Sequence, residues 1–214
     1  MLLYDYYRSS AAYRVRIALN LKGVAYTSRE IHLLRDGGAQ FTPEYRAINP
    51  QSRVPSLALD DGTVLIQSPA ILEWLEETHP EPPLLPPDPV ARARVRAVAA
   101  IVACDVHPIN NLSVLNYLRG PLHLEQPAVD AWYRHWIEAG FRAIEALIEA
   151  TPFCFGEHPT LADVVLVPQI GNARRQAVPL DEFPKIAAVG AACASVNAFT
   201  RAAPEAVRPA RPRP

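Results

Sequence analysis

In the stretch LLYDYYRSSAAYRVRIALNLK, from Leu2 to Lys22, Arg8, Ser9 and Ser10 interrupt a short apolar alternation just before a helical pattern takes over. A helix start carries N–H groups without intrahelical partners and a partial positive charge, so hydroxyls placed there can help hold an anion, a thiolate among them. The same two serines also suit plain helix capping, and the stretch by itself leaves both roles open.

The elements that must position this turn follow from periodicity. Leu2 onward predicts a strand, and Val15, Ala18, Leu19 and Lys22 share one side of a helix that ends near Lys22, with Gly23 as the residue beyond the cap. Val24 to His32 predicts a second strand, and a β-α-β crossover makes the two strands parallel. Residues 37–49 weaken into a loop with at most a short helix. Ser56 to Leu59, the turn residues Asp60, Asp61 and Gly62, and Val64 to Gln67 predict a hairpin. Ser68 then stands as N-cap with Pro69 at the first helical position. The order β-α-β, connector, β-β-α predicts a four-stranded mixed sheet with helices packed on it, an α/β domain over residues 1–80.

Prolines concentrate in HPEPPLLPPDP and mark a stiff linker over residues 81–89. Beyond it, residues 90–203 carry helical patterns alone, so the second domain is all-α. Helices are expected over Val90–Asn110, Pro127–Ala150, Leu161–Arg174 and Pro184–Phe199, with Trp132, Trp136, Ile137, Phe141, Ile144, Leu147 and Ile148 as a core stripe. Thr160 and Asp163 form a capping-box pattern with a folding role. Residues 204–214 are a Pro-rich tail.

Composition limits the partners. Lys+Arg at 21 against Asp+Glu at 22 leaves a formal charge of -1, so the chain has no general electrostatic footprint for nucleic acid, and any basic site must be local. Three separated cysteines, Cys104, Cys154 and Cys193, show neither a CxxC pair nor histidines at metal spacing, which points away from a metal site and toward reduced thiols of a cytoplasmic protein. No signal sequence or uncharged membrane-length run is expected.

Taken together, YYRSSAAYRVRIAL, NPQSRVPSL, IQSPAILEWLEE, DVHPINNLSVL and TLADVVLVPQIGNARR resemble the zeta class of soluble glutathione transferases, the family of maleylacetoacetate and maleylpyruvate isomerases, over nearly the whole chain. The resemblance implies a thioredoxin-like N-terminal domain, an all-helical C-terminal domain, a homodimer and glutathione as cofactor. It implies glutathione contacts at Ser9, Ser10, Ala11, Gln40, Val54, Gln67, Ser68, His107, Asn111, Leu112 and Ser113, with Pro55 cis. Arg8 and Arg175 would hold the carboxylates of a small keto diacid, with Arg174 beside Arg175 as the competing side chain. The family's usual cysteine is Ala11 here, and Tyr13 stands where many members have Trp.

The implied activity is glutathione-dependent cis–trans isomerisation of maleylacetoacetate or maleylpyruvate in aromatic catabolism. Two alternatives keep the same scaffold. One is a transferase or dehalogenase acting on small α-halo acids, which consumes glutathione. The other is a non-catalytic glutathione-binding protein, against which the intact pair Ser9 and Ser10 argues.

Overall fold

The computed structural model describes residues 1–209 and divides into two compact units, one of residues 1–83 with the segment from Val196 onward, the other of Leu84–Ser195. In the first unit, β1 (Leu2–Asp5) leads into α1 (Ser10–Leu21), β2 (Thr27–Glu30), α2 (Pro43–Ile48), β3 (Ser56–Ala58), β4 (Val64–Ile66) and α3 (Ser68–Thr78). The sheet order is β2-β1-β3-β4. β1 pairs parallel with β2, Leu3 opposite Ser28, and antiparallel with β3, Leu3 opposite Leu57. This is the mixed sheet that the β-α-β and hairpin signals predict, with β2 trimmed to four residues at an exposed edge.

Helix α1 ends as its sequence dictates: Lys22 closes the last turn and Gly23 follows at φ +66, a left-handed conformation that costs glycine nothing. Leu3, Leu57, Val15, Ala18, Leu19, Ile71 and Leu75 are fully shielded and form the core between sheet and helices. Tyr4, Tyr6, Ile31, Tyr45 and Val54 make a second cluster at the opposite face. Lys22, 8% exposed, is held by Glu76 at 2.6 Å and by the carbonyls of Pro82 and Pro80 at 2.7 and 3.3 Å, so the proline segment is tied to the end of α1.

The second unit holds α4 (Pro89–Ala100), α5 (Leu112–Arg119), α6 (Gln126–Leu147), α7 (Leu161–Arg175) and α8 (Pro184–Ala194). The helix expected over Val90–Asn110 is corrected in its second half. After Ala100 the chain passes through a π turn, Ile101–Val106, and a 3-10 turn, Pro108–Asn110, before α5, an element the sequence left unread. Pro108 explains the break, because its ring offers no N–H and crowds the carbonyl four residues back. Gly140 of α6 lies against this turn so closely that a Cβ would sit 2.3 Å from Val106 Cγ2. The continuous stretch Pro89–Arg119 is long and apolar enough to cross a membrane by length and composition, but Val95, Val98, Val102 and Val106 are spent in the unit's core.

The helix expected over Pro184–Phe199 is also corrected. It ends at Ala194, and a separate α9 (Asn197–Ala202) followed by α10 (Pro204–Val207) belongs to the first unit, not to the helical one in which the sequence placed residues up to 203. The reason lies in hydrogen bonding. A six-residue helix is too short to stand alone and leaves most of its carbonyls without donors. Side chains of α1 supply them: Tyr13 Oη donates to Phe199 O at 3.2 Å, Asn20 Nδ2 to Ala198 O at 3.0 Å and Arg16 Nε to Ala202 O at 2.8 Å. Of the tail expected over 204–214, residues 210–214 lie outside the described residues.

Candidate functional site

The turn between β1 and α1 is built by hydrogen bonds at both of its sides. Ser9 N donates to Tyr6 O at 2.8 Å, and Ser9 is the N-cap of α1, its Oγ accepting from Ala12 N at 3.2 Å. Capping occupies a lone pair of the hydroxyl and leaves its O–H to donate. The two roles that the sequence leaves open are therefore compatible at Ser9. Ser10 is the first helical residue and 7% exposed, Ala11 is half-buried, and Arg8 is exposed at the edge of the turn. Burial raises the Tyr6 phenol above its usual range, Tyr7 adds to the rise, and the Arg8 guanidinium opposes it.

Gln67 and Ser68 lie where β4 meets α3, with one correction to the expected cap. Gln67, not Ser68, occupies the cap position, and it does so at φ +69 and ψ 114. A non-glycine residue held at positive φ is strained, and such strain concentrates at ligand-binding positions. Gln67 Nε2 donates to Gln51 Oε1 at 2.5 Å, a partner that the sequence did not single out. Ser68 is 3% exposed and its Oγ accepts from Arg14 Nη1 at 3.3 Å, which ties the start of α3 to α1. Arg14 was also missed; its signal is a charge set among apolar residues of a buried helix.

Val54, 9% exposed, precedes Pro55 across a cis peptide bond, the geometry that the resemblance implies. Gln40 is 4% exposed, in a 3-10 turn before α2. Its Nε2 donates to Leu33 O at 3.3 Å, while its Oε1 is a buried acceptor with no donor among the described residues. An acceptor left in this state calls for a ligand N–H or water. Hydroxyls and N–H groups at two helix starts and an unused amide oxygen at Gln40 fit a peptide-like thiol with carboxylate ends.

In the second unit, His107 closes the π turn, half-buried, directly before Pro108. Asn111 is the N-cap of α5, and its Oδ1 accepts from Ser113 N at 3.0 Å and Ser113 Oγ at 3.1 Å, so both residues hold the helix start while Leu112 begins the helix. Asn110 Nδ2 and Trp132 Nε1 donate to the carbonyls of Tyr133 and Ile109 and fasten this corner to α6. At the end of α7 the two arginines part. Arg175 donates to Asn172 Oδ1, and its charge works against the burial that raises the Tyr133 phenol on α6; Arg174 runs toward Gly190 of α8. Arg175 is thus the member of the pair on the side of Tyr133. Among the described residues there is no group of three metal-ligating side chains.

Two family profiles match the chain: the glutathione S-transferase N-terminal domain over residues 3–83 and the C-terminal domain over residues 126–192. A maleylacetoacetate isomerase of Pseudomonas aeruginosa is 53% identical over 204 residues, which cover 95% of this chain and 96% of that protein. The holo structure of a maleylpyruvate isomerase, a bacterial zeta-class glutathione S-transferase, superimposes with TM-score 0.93 at 50% identity, covering 99% of this chain and all of that one. A maleylacetoacetate isomerase of Anaeromyxobacter dehalogenans, solved with dicarboxyethyl glutathione and citrate in its active site, superimposes with TM-score 0.87 at 43% identity, covering 99% and 94%.

Proposed function

The chain belongs to the glutathione S-transferase family, and from that premise we propose that it is a zeta-type, glutathione-dependent cis–trans isomerase of a small maleyl keto diacid. The observation that carries the reading is identity of 53% along 95% of the chain to a relative named for this reaction. The chemistry that bound glutathione supplies is reversible addition of its sulfur to the conjugated double bond, which becomes a single bond free to rotate.

The chain's own residues make that chemistry accessible. The Ser9 hydroxyl and the first N–H groups of α1 favour a thiolate over a thiol, because each donates toward negative charge. Ser10 and Ala11 line the same turn. The start of α3 at Gln67 and Ser68 receives the glutamyl carboxylate, the backbone of Val54 pairs with the tripeptide, and Gln40 Oε1 accepts one of its N–H groups. His107, Asn111, Leu112 and Ser113 add contacts from the helical unit. Arg8 and Arg175 hold the two carboxylates of the substrate and orient the alkene, and their charge stabilises the enolate that forms as the double bond is lost. Homodimeric assembly and a cytoplasmic setting, where glutathione and the free cysteines stay reduced, complete the proposal.

Purified protein assayed in parallel with maleylpyruvate and maleylacetoacetate, with and without glutathione, tests it. The expected result is trans product from at least one of them, dependent on glutathione, at constant glutathione concentration. Net consumption of glutathione with an α-halo acid, and no isomerisation of either maleyl acid, would replace the isomerase by a transferase.

A further inference from the structure

Arg16 is fully buried, at 0% exposed, yet all three of its nitrogens are engaged. Nη1 contacts both carboxylate oxygens of Asp5, at 2.6 and 2.8 Å; Nη2 donates to Tyr7 O at 3.1 Å; Nε donates to Ala202 O at 2.8 Å. The Tyr7 carbonyl belongs to the same rigid peptide plane as the Arg8 N–H, so holding that oxygen fixes the direction in which the chain enters Arg8 and Ser9. Ser9 N already takes the neighbouring carbonyl, Tyr6 O. Of the two successive carbonyls, Tyr6 O is therefore taken from within the turn and Tyr7 O from α1.

A buried guanidinium is stable only when its donors are met and its charge is balanced. Asp5 balances the charge, and the end of α9 provides an acceptor carrying the partial negative charge of a helix C-terminus. Tyr13 and Asn20 also donate to α9 from the same face of α1, to the carbonyls of Phe199 and Ala198. The Arg16 side chain joins this face of α1 to the turn as well, through Nη2 and Tyr7 O at 3.1 Å. A second contact lies beyond α10, where the Arg208 guanidinium sits 5.7 Å from the centre of the Tyr7 ring.

We propose that the C-terminal segment Asn197–Arg208 positions the sulfur-binding turn, with Arg16 as the positioning residue that links Ala202 to the Tyr7 carbonyl and Arg208 as a second brace on Tyr7. The inference rests on the glutathione reading of that turn. Its consequence is that loosening a segment nearly two hundred residues away in sequence weakens thiolate formation at Ser9, not merely the stability of the fold.

The test compares Arg16→Lys, Arg208→Ala and Asn20→Ala with the unaltered protein. The thiol of bound glutathione is titrated by its ultraviolet thiolate absorbance, and thermal unfolding is followed alongside. Lysine keeps the charge beside Asp5, but its donors radiate from one nitrogen and do not reproduce the spread of Nε, Nη1 and Nη2 over Ala202, Asp5 and Tyr7. Arg16→Lys is expected to move the thiol midpoint upward by about one pH unit, which lowers the thiolate fraction, and kcat/KM below the midpoint, by about tenfold. Arg208→Ala, an exposed change, moves it in the same direction by less. Asn20→Ala lowers the unfolding temperature and leaves the midpoint in place. Where Arg16→Lys does not fold, the Arg208→Ala titration decides. Midpoints unchanged in both arginine variants, or in Arg208→Ala alone where Arg16→Lys does not fold, overturn the proposal. Failure of the unaltered protein to bind glutathione would instead overturn the functional reading on which it rests.

Discussion

Capping and chemistry at Ser9 draw on different parts of one hydroxyl, the lone pair for Ala12 N and the O–H for a ligand, so a residue that explains the start of α1 can also serve sulfur. Arg8 has no such double duty. It is exposed, its charge opposes the rise of the Tyr6 phenol, and the chain's formal charge of -1 offers no general attraction for a dianion. A charge-assisted contact of this kind is worth ~1.5–3 kcal/mol. Arg8→Ala is expected to reduce kcat/KM for the maleyl acid by roughly 10–150-fold while glutathione affinity changes far less, since the proposed tripeptide contacts lie at other residues. Steady-state kinetics beside a direct glutathione titration checks both halves. Full isomerase activity in that variant would move the substrate carboxylate to another site.

At the scale of elements, helix starts carry most of the organisation. Thr160 and Asp163 are the plainest example: Thr160 N and Thr160 Oγ1 both donate to Asp163 Oδ2 at 2.8 Å, and Cys154 N donates to Asp163 Oδ1 at 2.8 Å. The capping box predicted from four letters thus also anchors the loop before α7, through an acceptor that is 0% exposed. Asp163→Ala would strand two buried backbone N–H groups and is expected to cost about 2–4 kcal/mol of stability, visible as a lower urea midpoint. Asp163→Asn keeps one acceptor oxygen and should lose about half as much. Equal stability of Asp163→Ala and the unaltered protein would show that water replaces the carboxylate there. Glutathione affinity is expected to stay near that of the unaltered protein in the folded fraction, because no proposed contact lies on this cap.

For the whole molecule, the homodimer in the proposal sets a simple expectation: sedimentation equilibrium should return twice the 23.6 kDa mass of the chain, and a single-chain mass at micromolar concentration would remove the dimer from the reading. The two units were legible from sequence for different reasons. Strand, turn and helix periods announced the sheet, and the absence of any strand period after the proline cluster announced the helices. The first turn, the Thr160–Asp163 box and the end of α1 at Gly23 were also within reach, because each depends on residue types no more than four positions apart. Tertiary structure alone decided that Gln67 takes a left-handed backbone at the start of α3, that Gln51 is its partner, and that α9 leaves the helical unit to join the first. It alone decided as well that Arg16 is buried rather than solvated. Its acceptors are Asp5, Tyr7 O and, 186 positions on, Ala202 O. Backbone carbonyls are common to every residue and carry no letter of their own, so a pairing that ends on one leaves no mark in the sequence, and only the folded chain shows which carbonyl it is.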